Sequence, residues 1–437
     1  MSQAKPTVAI LTLGCKVNQY ESEAIAEAFA ANGFFLCAPD DSCDVYVINT
    51  CTVTAEADRK AGQLARRVHT QNPKAIVLLT GCFSQSKPER AASIKGVDYV
   101  CGNTDKLSVV KAAAELLEKG RGDSPLIRVG DVNSAPFEPM CITRFDRTRA
   151  YVKIEDGCEN RCSYCAIPAA RGKVRSKPLA EVLDEVKGLF DGGCREVVLT
   201  GIETASWGRD LDGVTLADLL EAVDALPNVG RIRLGSLDPS LFREDFVKRI
   251  ARLRSLAPHF HISMQSGSSR VLAAMRRKYN ADQAMLAIKR LRAAIPRAEL
   301  TTDFIVGFPG ERDEDFEQTM QLAREAEFLS MHVFAYSRRE GTPAASLPDQ
   351  IAPSIKKERS AKLSALGDQL HRKRLERALL SPECEVLFET YENGLAIGHT
   401  DSFLEVALPS PRPLHSELKR VQMCEIQGAR ILAEPLD

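Results

Sequence analysis

Apolar positions in the first third of the chain fall in short unbroken runs, Val8–Leu13, Val45–Ile48 and Ile76–Leu79, separated by helix-like stretches from Glu21 and Ala55. A run with no polar alternate face marks a strand buried on both sides. Alternating such strands with helical periods predicts a parallel sheet with helices on its faces. From Gly120 to Arg149 the periodicity fails and Gly, Pro, Ser and Asn accumulate, which reads as a linker. The alternation then resumes, with strands predicted at Tyr151–Ile154, Glu196–Thr200, Arg231–Leu234, Phe260–Met264, Leu300–Val306 and Met331–Tyr336. Six such units fall short of the eight of a closed α/β barrel, so an open, partial barrel is expected. A basic helix from Ile355 to Leu379 follows. From Glu383 the runs Cys384–Phe388, Leu395–Gly398 and Phe403–Ala407, broken by Asn393-Gly394, predict a small all-β module with hairpin chemistry. The expected class is α/β. A flavodoxin- or Rossmann-like parallel-sheet domain spans 1–125, a partial (βα)6 barrel 145–375 and a small β-barrel 378–437.

Composition narrows the chemistry. The 437 residues are 44% apolar and 27% charged, the balance of a soluble globular protein. No apolar run approaches the roughly 18 residues of a membrane span, so no membrane association is expected. The polar stretch Met1–Thr7 runs straight into a strand, so no secretory signal is read, and a cytoplasmic location follows. There thiols stay reduced, and 13 cysteines point to metal ligands or small buried residues rather than disulfides. A net charge of −1 gives no global argument for a nucleic-acid partner.

Cys158, Cys162 and Cys165 lie just beyond the first barrel strand, at the strand edge where such folds place their sites. Three thiolates on one short loop can ligate three irons of a four-iron cluster and leave the fourth iron open. A structural zinc site would want a fourth ligand nearby, and none follows. The first domain holds a second set. Cys15, Cys51 and Cys82 each follow an apolar strand directly. In a parallel sheet they converge on its carboxyl edge, again as three ligands. Three buried small apolar residues are the alternative reading; repetition at one structural offset favours the cluster. Cys37, Cys43, Cys101, Cys141, Cys194, Cys384 and Cys424 read as core packing.

The x3–x2 spacing, with Tyr164 before the last cysteine, resembles the radical S-adenosylmethionine signature. Together with Gly14-Cys15-Lys-Val-Asn18-Gln19, Asn49-Thr50-Cys51-Thr-Val-Thr54 and Thr80-Gly81-Cys82, it resembles the methylthiotransferase family over essentially the whole chain. The tail around Asn393–Asp401 is similar to that family's TRAM barrel. The motifs around Cys15 and Cys51 resemble the branch that acts on N6-threonylcarbamoyladenosine beside the tRNA anticodon.

The resemblance implies two [4Fe-4S] clusters and S-adenosylmethionine, which serves both as methyl donor and as radical source. It implies hydrogen abstraction at C2 of the adenine and insertion of a methylthio group there, on a tRNA anticodon stem-loop. It also implies an electron donor and a sulfur source, whose identity the residues leave open. Cofactor contacts implied by matching segments are Tyr164, Glu203 in Thr200-Gly-Ile-Glu203, Ser236, Gln265, Asp303 and Gly307, with Asp238 and Gly310 nearby. Radical chemistry suits an aromatic C–H that has no acidic proton for a side chain to remove.

Local basic groups at Arg171–Lys177, Arg276–Lys278 and Arg372–Arg374 are candidate phosphate contacts or simply solvated faces. From Glu383 onward ten acidic residues face four basic ones, an acidic balance that suits a basic protein substrate. Methylthiolation of a ribosomal-protein side chain, or of another modified adenosine, is therefore the alternative. A non-enzymatic iron–sulfur or RNA-binding factor is the reading from another class.

Overall fold

The computed structural model describes residues 5–145 and 147–436; the polar start Met1–Ala4 and the acidic Asp437 lie outside the described residues. Six strands form the first sheet: β1 (Thr7–Thr12), β2 (Phe35–Leu36), β3 (Val45–Thr50), β4 (Ile76–Gly81), β5 (Tyr99–Cys101) and β6 (Leu126–Arg128). Their order is β2-β1-β3-β4-β5-β6, all parallel. β3 and β4 are buried along their whole lengths, as their unbroken apolar runs require. Separate apolar clusters cover the two faces, one around Ile48, Leu79 and Ala65, the other around Val47, Leu78 and Phe29. Each buried aliphatic side chain contributes about 1.5–3 kcal/mol, so the central strands present their carboxyl ends on a firm base. The expected linker is not uniform: β6 lies inside it and pairs with β5.

The barrel strands are β7 (Ala150–Lys153), β10 (Glu196–Thr200), β11 (Arg231–Leu234), β12 (Ser236–Leu237), β13 (His259–Gln265), β14 (Glu299–Val306) and β15 (Ser330–Ala335). A two-stranded antiparallel ribbon, β8 (Glu155–Asp156) with β9 (Arg175–Ser176), frames the loop after β7. The parallel strands run in order as β7-β10-β11 and β12-β13-β14-β15, with Gly235 between the two sets. The result is the open barrel that six units predicted. Outward residues such as Leu199, Ile262 and Phe304 pack under the helices. Inward ones are largely polar: Glu196, Arg233, His259, His261, Thr301 and Asp303.

Helix Pro353–Ala378 packs on β15 and leads to a closed barrel of β16 (Glu383–Glu392), β17 (Leu395–Thr400), β18 (Glu405–Pro409), β19 (Leu418–Gln427) and β20 (Arg430–Pro435). This barrel has its own core around Phe388, Val406, Val421 and Ile431. Its Phe403 reaches the base of the larger barrel. The ring stacks 4.5 Å from those of His259 and His399, with the Arg149 and Arg233 guanidiniums 5.4 and 4.9 Å away.

Charge follows the same joint. Glu385 pairs with Arg231 at 3.3 Å, Glu389 with Arg149 at 2.6 Å and Asp401 with Arg297 at 2.7 Å. The acidic balance of the module is therefore partly used within the chain, which weakens its reading as a surface for a basic partner. Among the described residues no helix is long and apolar enough to cross a membrane.

Candidate cluster and cofactor sites

β1, β3 and β4 end side by side, which sets Cys15, Cys51 and Cys82 along one sheet edge. Cys15 precedes helix Lys16–Ala31, and Cys82 opens helix Cys82–Ser86. Gly81 holds φ +98, and a Cβ there would lie 2.4 Å from the Thr50 carbonyl, so only glycine admits the turn into Cys82. Burial pushes the Cys51 thiol up to about 12, with the neighbouring sulfurs of Cys82 and Cys15 adding to it. Cys15 is raised as well, by burial first, with Arg171 opposing. Crowded thiols of this kind give up their protons most readily to a metal.

Arg171 is wholly buried and organises this edge. Its Nε donates to Cys82 Sγ at 3.1 Å, its guanidinium to Asn18 Oδ1 at 2.7 Å and to Glu21 at 2.5 Å. Glu21 also takes Lys106 at 2.5 Å and Lys153 at 3.0 Å, and Asp156 faces Arg171 at 3.2 Å. All five charges are buried. Buried ions this dense persist only when every one is paired. The network joins the first sheet to the barrel, because Arg171 ends the helix that follows the Cys158 loop.

In that loop Gly157 has φ +92, and a Cβ would sit 1.9 Å from the Lys173 carbonyl. Cys158 N–H bonds the Gly172 carbonyl at 2.9 Å, and Ser163 is tied to Met275 and Ala274 at 3.0 and 2.8 Å. Cys162 Sγ accepts from Arg277 at 3.3 Å, and Arg277 also pairs with Asp238 at 2.7 Å. Burial lifts Cys158 to about 12 and Cys165 to about 11, with Glu203 and Cys162 respectively among the contributors. Each triad thus has one arginine against one sulfur.

Glu203 accepts from Asn160 at 2.9 Å, and its backbone N–H donates to Glu155 at 2.8 Å. Burial, with Asp238 nearby, raises its carboxyl to about 7. Glu203, Asn160 and Asp238 line a cavity of about 400 Å³ beside the loop. Tyr164 packs with Val271, Met275 and Phe308. Ser236 is exposed where β12 meets β13, and Gln265 ends β13 at φ +64. Gly307 turns after β14, its N–H held by Glu311 at 2.8 Å. Asp303 sits deeper, between His261 at 3.1 Å and His332 at 3.1 Å. Among the described residues this trio alone brings three metal-type ligand atoms within 4.8 Å of one another. The cysteine triads are set wider than a single tetrahedral ion needs, and their spread suits a multi-iron cluster.

Comparison with known proteins agrees with this geometry. Residues 152–323 match the Radical SAM superfamily model, and residues 7–102 match a family described as Uncharacterized protein family UPF0004. Threonylcarbamoyladenosine tRNA methylthiotransferase MtaB of Bacillus subtilis is 39% identical over 95% of this chain and 93% of its own. The chain belongs to the radical S-adenosylmethionine methylthiotransferase family. The MtaB of Thermotoga maritima is 38% identical over 91% of this chain and 90% of its own. A tRNA-2-methylthio-N(6)-dimethylallyladenosine synthase of Moorella thermoacetica is 34% identical, covering 100% of both chains. Among solved structures, the radical S-adenosylmethionine methyltransferase TsrM of Kitasatospora setae superposes with a TM-score of 0.58 at 17% identity. That match covers 78% of this chain and 74% of the other, and it speaks to fold alone.

Methylthiotransferases of this family are enzymes that use two [4Fe-4S] clusters and S-adenosylmethionine. The donor set fits: two groups of three soft thiols, with Cys51, Cys82 and Cys162 buried and an arginine against one sulfur of each group. Arg171, Arg175 and Lys177 were candidate phosphate contacts or solvated residues from sequence, and the structure corrects both readings. All three are buried, Arg175 against Asp156 at 3.5 Å and Lys177 with Glu185. Arg374 is likewise buried on Glu299. Arg171 and Arg277 were missed as sulfur partners because a local basic run carries no mark of what it faces. Lys173, Arg276 and Lys278 do remain exposed.

Proposed function

We propose that this methylthiotransferase modifies C2 of N6-threonylcarbamoyladenosine at position 37 of tRNA, within the anticodon stem-loop. The observation that carries the reading is the pair of three-cysteine sites linked through Arg171, which donates to Cys82 Sγ and ends the helix that follows the Cys158 loop. The MtaB names of the relatives from Bacillus subtilis and Thermotoga maritima support the substrate. A polar interior also suits a ureido and carboxylate substituent better than a hydrocarbon one.

The proposed division of labour follows residues 1–125, 145–375 and 378–437. Cys15, Cys51 and Cys82 would hold one cluster, and Cys158, Cys162 and Cys165 the other. When bound, the clusters and S-adenosylmethionine supply one-electron cleavage chemistry together with the sulfur and the methyl group. Glu203, oriented by Asn160, offers its carboxylate to the ammonium of the methionine moiety. Tyr164 backs the loop; Ser236, Gln265 and Gly307 border the nucleoside half at the strand ends. Asp303, placed among the cofactor contacts from sequence, faces the interior where the substrate base would enter. Exposed Lys173, Arg276 and Lys278 give the stem-loop backbone its phosphate contacts. An external electron donor and a cytoplasmic location complete the proposal.

The test is anaerobic reconstitution with iron, sulfide, reductant and S-adenosylmethionine on a stem-loop carrying N6-threonylcarbamoyladenosine. The expected product is its 2-methylthio form, seen by nucleoside mass spectrometry. Cleavage of S-adenosylmethionine with no modified nucleoside would remove the substrate assignment.

A further inference from the structure

Arg171 ties the two triads together through Cys82 and the helix that follows the Cys158 loop. A second tie reaches other members of both triads, and it comes from neither cysteine segment. After β15 the chain passes through residues 336–346, and the Arg339 side chain leaves this loop for the first domain. Its Nη2 donates to Thr52 Oγ1 at 2.7 Å and to Asp58 at 2.9 Å. The Thr52 hydroxyl donates to Asp58 at 2.9 Å, and all three residues are buried. Thr52 follows Cys51 directly, and Asp58 lies in the first turn of helix Ala55–Gln71, which Thr54 caps. Arg339 thus grips the turn that carries Cys51 and the helix into which that turn leads.

Further along, the same loop meets the other triad. Ala344 N–H donates to the carbonyl of Ser163, which stands between Cys162 and Cys165, at 2.8 Å. Ala344 and Tyr336 share an apolar cluster with Val271, Met275 and Phe308, and Tyr164 of the Cys158 loop packs against it. The stretch between the two contacts is braced from within. Thr342 bonds the Arg339 carbonyl through its N–H at 3.2 Å and through its hydroxyl at 2.7 Å. Ala345 N–H then bonds the Thr342 carbonyl at 3.1 Å. Glu340 adds Lys87, just past the helix that Cys82 opens, at 3.0 Å; that carboxylate is largely exposed, so the pair contributes little.

We propose that Arg339 is a positioning residue for methylthio transfer, and that loop 336–346 fixes the separation of the Cys51 and Cys158 sites. A buried ion pair adds little net stability over apolar residues of the same shape; here it specifies one register between two domains. Reaction between groups held on different elements is sensitive to such register, since a shift of about 1 Å can cost about 100-fold. Arg339 touches neither substrate nor cofactor and acts through Thr52 on one side and Ser163 on the other. Its loss should spare cleavage of S-adenosylmethionine, which needs only the Cys158 site, and impair delivery from the Cys51 site. The inference rests on the reading that each triad holds one cluster.

Two variants test it. Arg339→Met removes the guanidinium, and Arg339→Met combined with Asp58→Asn does so without stranding a buried carboxylate. The reconstituted full chains are assayed on a stem-loop carrying N6-threonylcarbamoyladenosine. Both variants should keep wild-type iron and form 5′-deoxyadenosine within about twofold of the wild-type rate, while methylthio nucleoside per 5′-deoxyadenosine falls about 10- to 100-fold. Amide hydrogen exchange, read on the full chain before reconstitution, should quicken across residues 51–58 and 339–345 and stay unchanged along helix Ile167–Arg171.

Variants with full iron and a wild-type yield of product per cleavage overturn the proposal, as does unchanged exchange across residues 51–58. Cleavage and product falling in parallel overturn it too, because that is the signature of general structural damage. If the wild type binds only one cluster, the reading of the cysteine sites itself falls, and this inference with it.

Discussion

A guanidinium against a sulfur is the recurring contact at the residue scale. Arg171 meets Cys82 at 3.1 Å and Arg277 meets Cys162 at 3.3 Å. Arg171→Met would leave Glu21 and Asp156 short of a partner in a dry interior, and breaking a buried pair in this way costs about 3–5 kcal/mol. Thermal unfolding should show that loss. Iron analysis should show that the protein retains the Cys158 cluster while losing much of the other.

The cysteine triads separate the two sites more sharply. Replacing Cys15, Cys51 and Cys82 together by Ala should about halve the bound iron, since one of two clusters goes, and leave reductive cleavage of S-adenosylmethionine intact. Replacing Cys158, Cys162 and Cys165 should abolish cleavage. Loss of cleavage in both would contradict the assignment of separate roles. The grouping of the six cysteines was legible in the sequence because three follow apolar strands that prove adjacent in one sheet and three share a short loop. Arg171 and Arg277 were not: their meaning comes from partners far away in the chain, Glu21 for one and Cys162 for the other.

At the scale of elements, long apolar runs gave strands within one or two residues of their observed ends. The short strands β5, β6 and β12 escaped notice because two or three residues carry no periodicity. The contact between Phe403 and the larger barrel was invisible for a different reason. Phe403 reads as a strand residue, yet it precedes β18 and holds φ +74 in a turn. Phe403→Ala removes a stack on His259 and His399 and the cover over two guanidiniums. About 1–3 kcal/mol should be lost, and differential scanning calorimetry should resolve the small barrel as an earlier transition.

The whole molecule is held by buried charge as well as by apolar cores, and acid exposes this. Burial disfavours the Glu196 carboxylate, but Arg233, Arg149 and Arg231 outweigh it and bring the group from 4.5 down to about 2. A depressed folded value stabilises above about 4.5, and that contribution is lost as pH falls toward 2. The full shift is worth at most about 3 kcal/mol. Melting temperature should therefore decline on acidification through this window, and Glu196→Gln should start lower and decline less steeply. Arg149 and Arg231 also hold Glu389 and Glu385, so the same window should loosen the small barrel. The acidity of that module, which from sequence suggested a basic partner, is better understood as part of this joint.

The most direct test of the central claim is nucleoside mass spectrometry of total tRNA from cells with and without the gene. The account predicts that 2-methylthio-N6-threonylcarbamoyladenosine disappears in its absence while N6-threonylcarbamoyladenosine accumulates. The wild-type gene should restore the product, and a variant lacking Cys15, Cys51 and Cys82 should not. An unchanged level of the methylthio nucleoside in the deletion strain, with no second enzyme present to make it, would contradict the account.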